Sequence, residues 1–290
     1  MTVIENTHAL GTNRGQIFQA LRSSPRAVLG AGVLLVMVIL AVLAPVIAPY
    51  DPAQTHFDAT FQQPLTFGFI LGTDDLGRDI LSRALHGMQV SLQVGFLSVA
   101  VALAGGIPLG LLAGYVPWLD GIISRFTDLL LAFPFLIIAV GLAAINGPSL
   151  GNVVFALGIA QVPTMIRVVR GETLRIKSTD FVIGATAMNA SGARIMLRHI
   201  LPNCYSAIIV QATVIMPVAI IGESILSFLG IGVQPPDPSL GIMLSDAQQY
   251  ISRAPTAALF PGFAIVILCF AFNLFGDALR DALDPSNTDK

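Results

Sequence analysis

The chain has 290 residues, 54% hydrophobic and 11% charged, with a formal net charge of −2 at pH 7. A soluble domain carries about a quarter charged residues, so this is the composition of a polytopic membrane protein, and it leaves no basic surplus for nucleic acid. The lysines are Lys177 and Lys290, and neither follows glycine in the G-x-x-x-x-G-K-[ST] pattern that cradles phosphates, so the chain cannot be a P-loop ATPase by itself.

A hydrocarbon core about 30 Å thick takes roughly 20 apolar residues of helix to cross. The first such run predicts a helix over about 27–49, after Arg22 and Arg26. A cleaved leader is the rival reading. The run exceeds an h-region, however, and Pro45 and Pro49 follow the plausible cleavage positions, so an uncleaved span is expected. In the segment 71–88, Leu76, Ile80, Leu81, Leu85 and Met88 recur at helical spacing, which predicts an interfacial element with an Asp79–Arg83 pair on its polar side.

The next span, about 91–115, carries Gly105, Gly106, Gly110 and Gly114, small residues that permit close approach of a neighbouring helix. A long uncharged stretch broken at Asn146-Gly147-Pro148-Ser149 predicts two helices, about 120–145 and 150–170. Further spans are expected at about 204–229 and 256–279. Between them, Pro235-Pro236-Asp237-Pro238 cannot continue a helix and marks a surface loop.

Six spans place both termini on one side. Twelve of the fifteen basic residues, all but Arg78, Arg83 and Arg253, fall on the side of residues 1–26, the loop 171–203 and the tail 281–290. Basic loops stay in the cytoplasm, so cytoplasmic N and C termini are expected. In the loop, Ser178, Thr179 and Asp180 suit a helix N-terminus and predict a short helix over 181–188. Ser191 can cap a second one carrying Arg194, Arg198 and His199, ended by Pro202.

Charges inside spans are costly and face a bundle interior or a cavity. Glu223 falls near the outer mouth and is open to two roles, an interhelical hydrogen bond or a lining of the substrate path. Asp128 fits helix packing or an inner gate, and Asp277 with Arg280 fits an anchor at the inner end of the last helix. Cys204 and Cys269 read as small buried hydrophobes. The sequence has no H-E-x-x-H, no G-x-S-x-G and no metal-ligand spacing.

The stretch Asp180-Phe181-Val182-x-x-Ala185-x-Ala187-Met188-x-Ala190-Ser191, followed by Arg194-Ile195 and Arg198-His199-Ile200-Leu201-Pro202-Asn203, resembles the coupling loop of ABC importer permeases. Leu71-Gly72-Thr73-Asp74-Asp75-Leu76-Gly77-Arg78-Asp79, Ser227-Phe228-Leu229-Gly230-Ile231-Gly232 and Phe272-Asn273-Leu274-Phe275-Gly276-Asp277 resemble the dipeptide/oligopeptide subfamily, in its C-type subunit. Ile183 stands where the family commonly has Glu, and Leu240 where relatives usually have Trp. Asn189 stands where they commonly have Gly, and a left-handed turn tolerates Asn next best.

The resemblance implies an all-α, type I importer permease with six transmembrane helices, multi-pass in the inner or plasma membrane. It also implies a second, homologous permease, two ATPase subunits and an extracytoplasmic substrate-binding protein. The ATPases would hold ATP and Mg, and this chain no cofactor or metal. Asp180, Phe181, Ala185, Ala187, Met188, Asn189, Ser191 and Arg194 would make the ATPase contact, with small Ala185 and Ala187 seated in the partner's groove. Peptides are the expected substrate, with nickel complexes or glutathione as alternatives. A secondary transporter, the rival class, would need ion sites near the midplane, and no acidic residue falls at the centre of any span.

Overall fold

The computed structural model describes residue 19 and residues 21–66 and 68–283. The expected cytoplasmic ends therefore lie largely outside the described residues. Helix α1 (Pro25–Val42) opens with Pro25 at its first position and Ser24 accepting the Ala27 N–H at 3.4 Å. Proline is pre-set for that position, where its missing N–H costs nothing. A one-turn helix α2 (Ala44–Ile47) follows.

Helix α3 (Ile80–Tyr115) is 36 residues long, so the segment read as a separate interfacial element forms the first turns of a span. Asp79 is its cap: Oδ2 accepts the Ser82 N–H at 2.8 Å and the Ser82 hydroxyl at 2.6 Å. The expected Asp79–Arg83 pair is thus replaced, because a cap position turns the carboxylate toward the helix end and Arg83 finds other partners.

The helix expected over 120–145 is two helices, α4 (Pro117–Leu131) and α5 (Phe135–Asn146), bent by 89°. Pro134 has no N–H to give and drives the residue before it out of the α region. Its own ψ is 129°. Ser149 then accepts the Asn152 N–H and starts α6 (Leu150–Lys177).

Helices α3 and α6 form the closest pair in the bundle. A Cβ on Gly106 would lie 2.5 Å from that of Met165, on Gly110 2.6 Å from that of Val169, and on Gly114 2.5 Å from that of Thr173. Gly158 of α6 answers against Val101 at 2.5 Å. The glycine stripe is therefore a groove for the β-branched and sulfur side chains of α6. Lipid tails give no hydrophobic drive for helices to pair, so this contact packing is what holds them.

After α6 come α7 (Asp180–Ala187) and α8 (Gly192–Ile195), and a π-helical turn (Met196–Ile200) leads into α9 (Leu201–Phe228). Pro202 does not end the second short helix, as the sequence had suggested. It sits in the first turn of α9, where the widened turn before it relieves the clash of its ring with the preceding carbonyls. Helix α10 (Leu240–Ala247) and the last span α11 (Thr256–Leu283) complete the fold. Five stretches are long and apolar enough to cross a membrane (α1, α3, α6, Gly192–Phe228 and α11), or six if the bent pair α4 and α5 is one span.

Candidate coupling surface and the groups that hold it

The loop between α6 and α9 is a small folded unit rather than a strap. Lys177 fastens its start, its Nζ donating to the Tyr115 carbonyl at 2.8 Å and lying 5.1 Å from the centre of the Tyr115 ring. Ser178 and Thr179 donate their hydroxyls back to Arg175 O and Ile176 O, at 2.9 and 2.6 Å. They close the C-terminus of α6. Thr179 holds the N-cap position of α7 without a side-chain bond there, and Asp180 follows in the first turn, where its charge favours the helix dipole.

Helix α7 has two apolar faces. Val182 and Ala185 point inward, 1% and 4% exposed, and Val182 joins the cluster containing Ile176, Ile195 and Ile200. The outward face carries Phe181, Ile183, Ala187 and Met188, with Met188 81% and Ile183 56% exposed. Ala185 is thus corrected: its small side chain lets α7 lie close on its own chain, and it cannot reach a groove on a partner. Ile183 and Leu197, both exposed, belong to the outward surface and were not among the expected residues. Their helical spacing from Ala187 and Arg194 was the signal available.

Helix α7 ends at Asn189, whose φ of +61° is the left-handed conformation expected at that position. The Ala190 N–H donates to Ala185 O at 3.1 Å and the Asn189 N–H to Thr186 O at 2.9 Å. These are the paired bonds of a Schellman ending, which satisfy carbonyls a helix would leave orphaned. Asn189→Gly should keep the turn, whereas Asn189→Val should lose most coupled ATP hydrolysis, because a β-branched residue disfavours positive φ. Equal ATPase rates for the two variants in the assembled complex would contradict the left-handed turn. Ser191 occupies the N-cap position of α8 without a side-chain bond, and Arg194 and Arg198 are exposed beside it.

At the opposite end of the bundle, Arg83 and Asp74 are each 3% exposed and paired to one another. Asp74 also accepts Arg78 Nε at 2.7 Å and the N–H groups of Leu76 and Arg78, at 3.0 and 2.9 Å. Arg78 and Arg83 both reach Asp246 Oδ2 on α10, at 3.3 and 3.2 Å. This network ties the loop before α3 and the first turn of α3 to α10. Removing one partner of such a buried pair typically costs about 3–5 kcal/mol. Tyr250 packs nearby, its phenol pKa pushed up by burial and then by the carboxylates of Asp75, Asp74 and Asp246.

Gly77 (φ +72°) belongs to this network's turn, and a Cβ there would fall 1.9 Å from the His56 carbonyl oxygen. No side chain fits.

Glu223 is fully enclosed. Its carboxylate accepts the Ser91 hydroxyl of α3 and the Ser227 hydroxyl of α9, both at 2.8 Å, and Ser227 Oγ in turn accepts the Val233 N–H at 3.2 Å. Of its two open roles, the geometry is that of the interhelical bond. A side chain with no exposed surface lines no path in this conformation. Asp128 is the reverse, exposed and paired with Arg167 at 2.8 Å. Asp277 and Arg280 are exposed near the C-terminal end of α11.

Residues 106–289 match the family described as binding-protein-dependent transport system inner membrane component, and residues 13–64 match the N-terminal TM domain of oligopeptide transport permease C. The dipeptide transport system permease protein DppC of Alkalihalophilus pseudofirmus is 42% identical over 271 residues, covering 93% of this chain and 89% of that one. The glutathione transport system permease protein GsiD of Pectobacterium atrosepticum is 44% identical over 253 residues, covering 87% and 84%. Among solved structures, an inward-facing MetNI methionine ABC transporter superposes with a TM-score of 0.58 at 20% identity, over 70% of this chain and 96% of that one. That likeness speaks for the fold.

Proposed function

Because the chain belongs to the inner-membrane components of binding-protein-dependent transport systems, we propose that it forms half of a peptide-conducting pore and couples it to separate ATPases. The observation that carries the coupling role is the outward apolar face of α7, which is held rigidly by Lys177, Val182 and the Asn189 turn yet covers nothing in its own chain. A rigid short helix presenting Ile183, Ala187 and Met188, flanked by Arg194, fits a groove on a soluble partner.

In this reading a second, homologous permease supplies the other half of the pore. Two ATPase subunits bind ATP and Mg, and this chain performs no hydrolysis. An extracytoplasmic binding protein delivers the substrate to the end carrying the Asp74–Arg83 network. The relatives' names favour di- and oligopeptides, with glutathione as the alternative. Both termini lie in the cytoplasm, since Arg167, Arg170, Arg175, Lys177, Arg194 and Arg198 crowd the loop end. Closure of the ATPases on ATP moves α7, and with it α6 and α9, between inward-open and outward-open arrangements.

The test is reconstitution of the chain with the second permease, the ATPases and the binding protein in proteoliposomes. Dipeptide uptake should require ATP, the binding protein and this chain together. Uptake that follows an ion gradient and ignores ATP would make the protein a secondary transporter.

A further inference from the structure

Two ion pairs join α4 to α6, and they differ in kind. In the first, Arg170 grips Asp120 through both oxygens, at 2.5 and 2.9 Å, Ser124 adds a hydrogen bond at 2.8 Å, and the two side chains are about one-third exposed. That pair is a structural tie. In the second, Arg167 Nη2 touches Asp128 Oδ1 alone at 2.8 Å, and the two side chains are 60% and 68% exposed. The remaining guanidinium N–H groups and Asp128 Oδ2 have no other partner among the described residues.

Residues 150–166 of α6 carry no charge, so Arg167 is the first charged group met on that helix, about 26 Å from its start at 1.5 Å per residue. At that distance Arg167 nears the far side of a hydrocarbon core about 30 Å thick, where charged heads reach water. The exposed pair therefore sits where water reaches it, at the end of the bundle that carries the 171–203 loop. An ion pair held by one bond, with unused donors and an unused acceptor, offers one place for an ammonium and one for a carboxylate at no net charge.

We propose that Asp128 and Arg167 line the aqueous path near its cytoplasmic mouth and transiently take the two charged ends of a zwitterionic peptide. The guanidinium receives the peptide carboxylate and Asp128 the ammonium as their mutual bond opens, and the pair re-forms when the peptide leaves. The inference rests on the permease reading above and adds a substrate-contact step to it.

The test uses the assembled complex in inside-out vesicles, with Cys204 and Cys269 replaced by alanine. Asp128→Cys and Arg167→Cys should each react with a membrane-impermeant thiol reagent in the absence of nucleotide. Reaction should slow several-fold when ATP and vanadate trap the ATPases, and also when dialanine is added. No reaction, or a rate indifferent to both nucleotide and dialanine, would overturn the proposal. In a cysteine-intact complex, Asp128→Asn with Arg167→Gln should lower dialanine uptake about fivefold, the net worth of roughly one hydrogen bond, with ATPase co-purification unchanged. Unaltered uptake would remove the substrate contact. Failure of the unmutated chain to co-purify with ATPases would count against the permease reading itself, and the site would fall with it.

Discussion

Replacing Gly110 by leucine is expected to separate α3 from α6 and leave no stably folded permease. The Cβ alone would sit 2.6 Å from Val169 Cβ and 3.0 Å from the Ile166 carbonyl oxygen, so the obstacle includes backbone that cannot swing aside. Overpacking by a methylene or two costs about 1–3 kcal/mol, and leucine brings three further carbons into a groove already closed. Gly110→Ala should lose about that 1–3 kcal/mol, and Gly110→Leu should fail to accumulate in the membrane. Gly171→Ala, whose Cβ would meet nothing within 4 Å, is the matching control. Thermal unfolding of the detergent-solubilised protein reads the difference. An unfolding temperature for Gly110→Leu equal to that of the control would refute the close pairing.

The double substitution Ile183→Asp and Met188→Asp is expected to abolish transport without unfolding the chain. Both side chains are exposed in this chain, 56% and 81%, and exposed substitutions usually move stability by within about 0.5 kcal/mol. Buried in a partner's groove, each would leave an unpaired carboxylate. Losing two anchoring contacts of at least about 2 kcal/mol each weakens an interface by roughly three orders of magnitude. Co-purification of the ATPases should therefore vanish while the unfolding temperature stays put. Ala185→Arg makes the contrast: it pries α7 from its own base, so it should lower the unfolding temperature as well. Retention of the ATPases by the double variant would place the docking surface elsewhere.

Much of this architecture is written in charge-free length. Each run without Asp, Glu, Lys or Arg that exceeds the membrane thickness contains a long helix, and Gly105, Gly106, Gly110 and Gly114 of α3 announce its close neighbour. What escaped is local. Counting charges cannot see Pro134, a single residue that divides one apolar run into two helices at 89°. Pro202 looks like a stop because proline breaks a regular α-helix, but a π turn ahead of it removes the clash. The spacing of Asp79 and Arg83 promised a pair, and capping took the carboxylate first.

The faces of α7 were illegible for a different reason. Val182 and Ala185 on one side and Ile183 and Met188 on the other are all apolar, so polarity does not say which side meets the parent chain. Packing against Ile176 and Ile195 decides it. The Asn189 turn was legible, because so few residues tolerate φ near +60°.

The most direct test places a photo-cross-linking amino acid at Met188 in one complex and at Ala185 in another. An ATPase adduct is expected from Met188 and none from Ala185, since the first faces away from the bundle and the second into it. An ATPase adduct from Ala185 with none from Met188 would contradict it.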